Sequence, residues 1–241
     1  MAPYFREELR RILSAKKPVR SHYPSWDAQR YTDDSIAWAT NPLYGWIEKT
    51  RKPDGTKYDI YNDGLKIYTT IDSRMQTYAE EAVHEHMSSL QKQFFKEKKG
   101  SSAAPYTSSR VELSDAMRAK LIANAIRQSE RGRIARLRGL SEAELQAEFD
   151  TPVDMTVFSY DGPVDTTMTP RDSLLYSKSF LRTGFMSMDP STGFVKAYVG
   201  GPDFRFFQYD MVSTGRRQIG STIKPFLYTY AFETDDFTPC T

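Results

Sequence analysis

Apolar positions recur along this chain with two different periods, and the points where the period changes mark its organisation. Over 64–72, Leu65, Ile67, Thr69 and Ile71 alternate with Lys66, Tyr68 and Thr70, the pattern of a half-buried strand over 65–71. From residue 73 the spacing lengthens. Met75, Ala79, Val83, Met87, Leu90 and Phe94 follow at near-helical intervals and predict a long helix over 73–98. Ser73 with Gln76 has the form of a capping box at its start.

The run Lys-Gly-Ser-Ser-Ala-Ala-Pro then breaks the pattern and predicts a loop over 99–110. Ser114 caps a helix carrying Met117, Leu121 and Ile126, and Ser141 with Glu144 forms a second capping box opening a helix through Phe149. Asp161-Gly162-Pro163 is a turn. Thr169-Pro170-Arg171-Asp172 opens another helix, with proline and an acid in its first turn, ending near Gly184. These elements predict a helical insertion over 99–182.

Strand patterning returns with 185–188 and 194–199, which flank Asp189-Pro190-Ser191-Thr192-Gly193 as a β-hairpin. Gly200-Gly201 closes it, and Phe204, Phe206 and Phe207 read as core aromatics. Residues 1–64 are rich in tyrosine, proline and charge, with a turn and short hairpin at Lys52-Pro53-Asp54-Gly55. The last helix carries Ile223, Phe226, Leu227, Tyr230, Ala231 and Phe232 around most of its circumference, which predicts a core helix. With nothing after it to cover that surface, the chain reads as a piece of something longer. The class is α+β: an antiparallel sheet flanked by helices.

Composition narrows the function without naming it. The 241 residues carry a net charge of +2, too small to draw the chain to nucleic acid or anionic lipid. The cluster Arg127, Arg131, Arg133, Arg136 and Arg138 is balanced by Glu130, Glu142, Glu144 and Glu148, as on a solvated helical face. No apolar run is long enough to span a membrane, and the N-terminus has no apolar signal core. Cys240 is the only cysteine, which excludes an intrachain disulfide and fits cytoplasm or periplasm alike. His84 and His86 lie two apart, so they cannot form a helical i, i+4 metal pair; no metal and no cofactor are expected.

Chemistry concentrates at Arg217-Gln218-Ile219-Gly220-Ser221-Thr222-Ile223-Lys224-Pro225-Phe226. Positions i and i+3 of a helix share a face, with Cβ atoms about 5–6 Å apart. A serine hydroxyl needs a base within reach to act as a nucleophile, and a lysine one turn on can supply it when burial or a nearby cation lowers its basicity. The bare Ser-x-x-Lys pattern is weak, since about one match is expected by chance in such a chain. Ser14 with Lys17 and Ser89 with Lys92 also match it. Only Ser221 has a glycine before it and an apolar helix after it.

Together, Gly-Leu-Lys-Ile-Tyr-Thr-Thr-Ile-Asp (64–72), Met-Asp-Pro-Ser-Thr-Gly (188–193), Val-Gly-Gly (199–201) and the motif around Ser221 resemble the class A penicillin-binding proteins. These are the bifunctional enzymes that polymerise and crosslink bacterial peptidoglycan. The segment from Ser141 to Leu175 is similar to an insertion of the Bacteroidetes type. The start, Ala-Pro-Tyr-Phe-Arg-Glu-Glu-Leu, resembles the linker that leaves the glycosyltransferase domain. The resemblance implies an interdomain linker or pedestal over 1–98, the insertion over 99–182, and the first part of a transpeptidase domain over 183–241.

It further implies a D,D-transpeptidase with an acyl-enzyme mechanism. Ser221 is the nucleophile, Lys224 the general base, and Gly220 and Gln218 lie beside substrate. D-Ala-D-Ala stem peptides are the substrate, β-lactams the inhibitors, and other cell-wall synthesis proteins the partners. The location implied is the periplasmic face of the bacterial inner membrane, held by an anchor outside this chain. The family's Ser-x-Asn and Lys-Thr/Ser-Gly motifs occur nowhere in the 241 residues, so the chain alone is expected to be inactive or weakly active. Two other readings stay open: a non-catalytic interaction module of a cell-wall synthesis complex, and a penicillin-sensing or β-lactamase-like serine acyltransferase.

Overall fold

A 26-residue helix is the spine of the computed structural model, which describes residues 1–100, 105–106, 113–234, 237–238 and 240. Helices α1 (Pro3–Leu13), α2 (Ala28–Thr40) and α3 (Trp46–Lys49) precede this spine, α4 (Ser73–Lys98). After it come α5 (Asp115–Gln128), α6 (Glu130–Leu137), α7 (Glu142–Asp150), β1 (Val153–Val157), β2 (Val164–Met168) and α8 (Pro170–Lys178). The chain continues through β3 (Phe185–Met188), β4 (Val195–Val199) and α9 (Lys224–Glu233). The two sheets are separate antiparallel hairpins, β1–β2 and β3–β4, so the α+β class holds with smaller sheets than expected. Most of the loop expected over 99–110 lies outside the described residues.

The start of α4 corrects two expectations. Its N-cap is Asp72, whose carboxylate accepts from the backbone N–H groups of Arg74 at 2.9 Å and Met75 at 3.0 Å. Those bonds hold the Asp72 carboxyl below its ordinary pKa. Ser73 is therefore inside the helix. Gln76 does not reach back to close a capping box; it points into the protein and is 0% exposed. There its Oε1 accepts from the Tyr198 N–H at 2.7 Å, and its Nε2 donates to the Tyr198 carbonyl at 3.0 Å. One side-chain amide thus takes both outward-facing backbone groups of a residue in β4.

No strand forms over 65–71. The segment approaches β4 only at its end, where Thr70 Oγ1 donates to the Val195 carbonyl and the Asp72 N–H to that of Lys196. Before that point it makes no backbone pairing among the described residues, and Ile67 stays 45% exposed.

Gln91 repeats the device farther along α4. Its amide donates to the Ser179 carbonyl at 3.1 Å and accepts from the Leu181 N–H at 2.8 Å. These are the groups a longer α8 would have used, and α8 stops at Lys178 rather than near Gly184. The buried face of α4 is accordingly Gln76, Ala79, Met87 and Gln91, with Val83 half-buried, while Met75 and Leu90 turn outward.

The segment expected to be helical contains a β-hairpin as well as helices. Helices α5, α6 and α7 bury Ile126, Ala135, Leu145 and Phe149 against one another. Ser114 and Ser141 cap as expected, Ser141 with Glu144 in a reciprocal box. The β1–β2 register pairs Asp154 with Thr167 and Thr156 with Asp165, and each threonine hydroxyl donates to the opposite carboxylate at 2.6 Å. A second core joins Met87 of α4 to Phe158, Tyr160, Phe180 and Phe207, so apolar packing crosses both position 98 and position 182. Its rings meet edge-on, Phe158 lying 4.9 Å from Phe207 and 5.0 Å from Phe180. The Arg182 guanidinium covers the Phe207 ring at 3.8 Å.

Helix α1 docks on the far end of β4. Tyr4, 3% exposed, donates its hydroxyl to the Phe207 carbonyl at 2.6 Å and lays its ring across Gly200 and Gly201. A Cβ on Gly201 would sit 2.4 Å from Tyr4 Oη, and one on Gly200 2.6 Å from the ring. The glycine pair exists to let this ring close on the backbone. Gly201→Ala is expected to lower the free energy of unfolding by about 1–3 kcal/mol, as for other overpacked sites. Urea denaturation checks this, and adding Tyr4→Leu should recover part of the loss. A loss unchanged by that second substitution would show that the ring is not the obstacle.

Candidate active site

Ser221 follows the β3–β4 hairpin by a supported path. Met211 N–H donates to the Gly200 carbonyl, and Asp210 Oδ2 accepts from the Tyr198 hydroxyl at 2.7 Å. Asp210 Oδ1 also accepts from the Val212 N–H at 2.8 Å, which shapes the turn leading toward residue 215. Residues 215–219 have no regular structure, and a 3-10 turn, Gly220–Ile223, then runs directly into α9. Thr222 ties that turn by donating its hydroxyl to the Ile219 carbonyl at 2.6 Å. Pro225 sits in the first turn of α9, where its missing N–H costs nothing.

Ser221 lies in the 3-10 turn, and Lys224, three residues on, is the first residue of α9. Both are exposed, and neither Ser221 Oγ nor Lys224 Nζ has a hydrogen-bond partner among the described residues. Gly220 has φ 55°, the left-handed region that favours glycine, and open space surrounds the place of a Cβ. Backbone conformation, rather than a crowded neighbour, is what this position demands of its residue. Gln218 is exposed and makes no hydrogen bond with Ser221 among the described residues.

The other two Ser-x-x-Lys matches are placed differently. Ser14 caps the end of α1 with its hydroxyl on the Arg10 carbonyl. Ser89 and Lys92 lie on the exposed face of α4. His84 turns Nε2 to the Tyr160 carbonyl at 2.9 Å, and no group of three or more metal-ligating side chains occurs among the described residues. No described helix is long and apolar enough to cross a membrane.

Helix α9 departs from the expectation of a core helix. Phe226 is 72% exposed and Tyr230 68%, and no residue of α9 is buried. The residues that sequence reasoning missed are the ones that hold the approach to Ser221: Tyr4, Gln76 and Asp210. Polar or aromatic residues of these types carry no local signal of burial, so only their partners identify them.

Comparison with known proteins adds kinship. Residues 101–181 match the family described as the penicillin-binding protein middle domain. Penicillin-binding protein 2D of Bacillus subtilis is 44% identical over 63 residues, 26% of this chain and 9% of that protein. Penicillin-binding protein 1A of Escherichia coli is 42% identical over 53 residues, 22% of this chain and 6% of that protein. A longer match, 24% identical over 202 residues, links 74% of this chain to 24% of penicillin-binding protein 1A of Rickettsia bellii. The matched segments thus span a quarter or less of these relatives' lengths. No solved structure gives a significant match.

Proposed function

We propose that this chain, a relative of the penicillin-binding proteins, carries the nucleophile and base of a serine D,D-transpeptidase that crosslinks peptidoglycan. The observation that supports the proposal is the local order of a left-handed Gly220, Ser221 in the 3-10 turn Gly220–Ile223, and Lys224 opening α9 three residues on. Ser221 Oγ bonds to the penultimate D-Ala carbonyl carbon of a stem peptide while its proton passes to Lys224 Nζ. Collapse of the adduct breaks the amide bond, and that proton leaves on the amine of the terminal D-Ala. An acceptor amine on a neighbouring strand then attacks the ester, forms the new amide and returns Ser221 its proton. β-Lactams arrest the cycle at the acyl-enzyme.

Gly220 and Gln218 lie beside the substrate in this scheme, and the reaction belongs on the periplasmic face of the inner membrane. The Ser-x-Asn and Lys-Thr/Ser-Gly motifs are absent from the 241 residues, so this chain alone lacks an oxyanion donor and a proton relay. One missing oxyanion donor slows such chemistry by roughly 10²–10³-fold. The test is fluorescent-penicillin labelling with peptide mapping, on the whole protein and on this chain side by side. The expected result is label on Ser221 in the whole protein and almost none on the chain. A whole protein that is folded yet unlabelled would overturn the proposal.

A further inference from the structure

Helices α5, α6, α7 and α8 and strand β1 bound an open cavity of about 560 Å³, within the roughly 300–1,000 Å³ range of ligand pockets. One wall is apolar, made by Phe149, Met155 and Leu174. The rest is polar and carries one sign of charge. Arg131 and Lys178 line it, and no carboxylate does.

These two cations differ from their neighbours. Arg127, Arg133 and Arg138 are each within 4.0 Å of a glutamate, at 3.6, 2.5 and 2.5 Å. Arg131 and Lys178 have no ion pair or hydrogen bond among the described residues. The acid nearest each in sequence is already engaged: Glu130 by Arg133, and Asp172 by the Thr169 hydroxyl at 2.7 Å. The cavity's neutral donors are free as well. Gln128 has no side-chain partner among the described residues, nor do the hydroxyls of Ser173 and Ser177, one helical turn apart on α8. Free cations and donors beside an apolar wall match a carboxylate next to an apolar side chain, whereas a bare inorganic anion would leave the wall unused.

We infer that this cavity is a docking site for an acidic, apolar peptide segment of a partner protein. Charge complementarity selects that occupant: the peptide's carboxylates meet Arg131 and Lys178, and its apolar side chains cover the half-buried Met155 and Leu174. The site shares no residue with Ser221 and Lys224, so it stands or falls separately from the acylation chemistry.

The experiment is an amide NMR titration of the 241-residue chain with an N-acetylated, C-amidated hexapeptide of alternating leucine and glutamate, beside its leucine–glutamine counterpart. The acidic peptide is expected to shift Gln128, Ser129, Ser173 and Lys178 saturably, with a Kd of about 0.1–1 mM. Binding should weaken by about fivefold or more on raising salt from roughly 50 to 300 mM. Arg131→Glu with Lys178→Glu should lose binding by at least tenfold, about 1.4 kcal/mol, while the rest of the spectrum is kept. If that pair does not fold, Arg131→Gln with Lys178→Gln serves the same purpose. No saturable shift at about 5 mM peptide, equal binding of the glutamine peptide, or binding that survives charge removal would each overturn the inference.

Discussion

Ser221→Ala in the whole protein is expected to abolish covalent labelling by fluorescent penicillin, a loss of roughly 10³-fold or more in acylation rate. No other serine at a Ser-x-x-Lys position can replace it: the Ser14 hydroxyl is bound to a backbone carbonyl, and Ser89 stands on the exposed face of α4. Lys224→Ala should leave Ser221 in place and slow acylation by a comparable factor, because the proton on Oγ then has no acceptor one turn away. The two variants are told apart by mass spectrometry after long exposure to penicillin. Ser221→Ala stays unmodified, whereas Lys224→Ala accumulates adduct slowly on Ser221. Undiminished label in Ser221→Ala, mapped to another residue, would remove Ser221 from the mechanism.

Gln76→Leu is expected to lower the unfolding free energy of the 241-residue chain by about 2–5 kcal/mol. Leucine fills a similar space but takes neither backbone group of Tyr198, and an unsatisfied buried donor or acceptor costs about 1–3 kcal/mol each. Gln76 is 0% exposed, so water does not substitute for the lost partners. Gln76→Glu is the informative companion, since it keeps the acceptor for the Tyr198 N–H and loses the donor to its carbonyl. Its carboxylate would also face Glu80, which now accepts from Gln76 Nε2 at 2.7 Å. Urea denaturation with amide exchange at Tyr198 reads both effects. A loss below about 1 kcal/mol for Gln76→Leu would mean that the amide bridge contributes little to holding β4 against α4.

Much of the secondary structure was legible. Helix α4 followed from its apolar spacing, and the turns around Asp189 and Asp161 from their residue types. The β1–β2 hairpin was also present as alternation, with Val153, Met155 and Val157 on one face, but its five-residue strands are short beside the helical signals around them. The alternation over 65–71 was as clear and formed no strand: the segment meets β4 only through Thr70 and Asp72, and Ile67 stays 45% exposed. Spacing and context single out Ser221 and Lys224 in the sequence, and their exposure was not legible there: an apolar helix such as α9 signals a need for cover without supplying it.

What the sequence alone determined is local. Caps at Ser114 and Ser141 and the three-residue spacing from Ser221 to Lys224 arise within about one helical turn, where residue type controls the outcome. Tertiary structure decided which polar groups enter the interior and which backbone edges pair. Tyr4 meets the Phe207 carbonyl across 203 positions, and Gln76 meets Tyr198 across 122. A buried amide or hydroxyl is stable only where a distant partner satisfies it, so its burial is a property of the folded arrangement rather than of the residue.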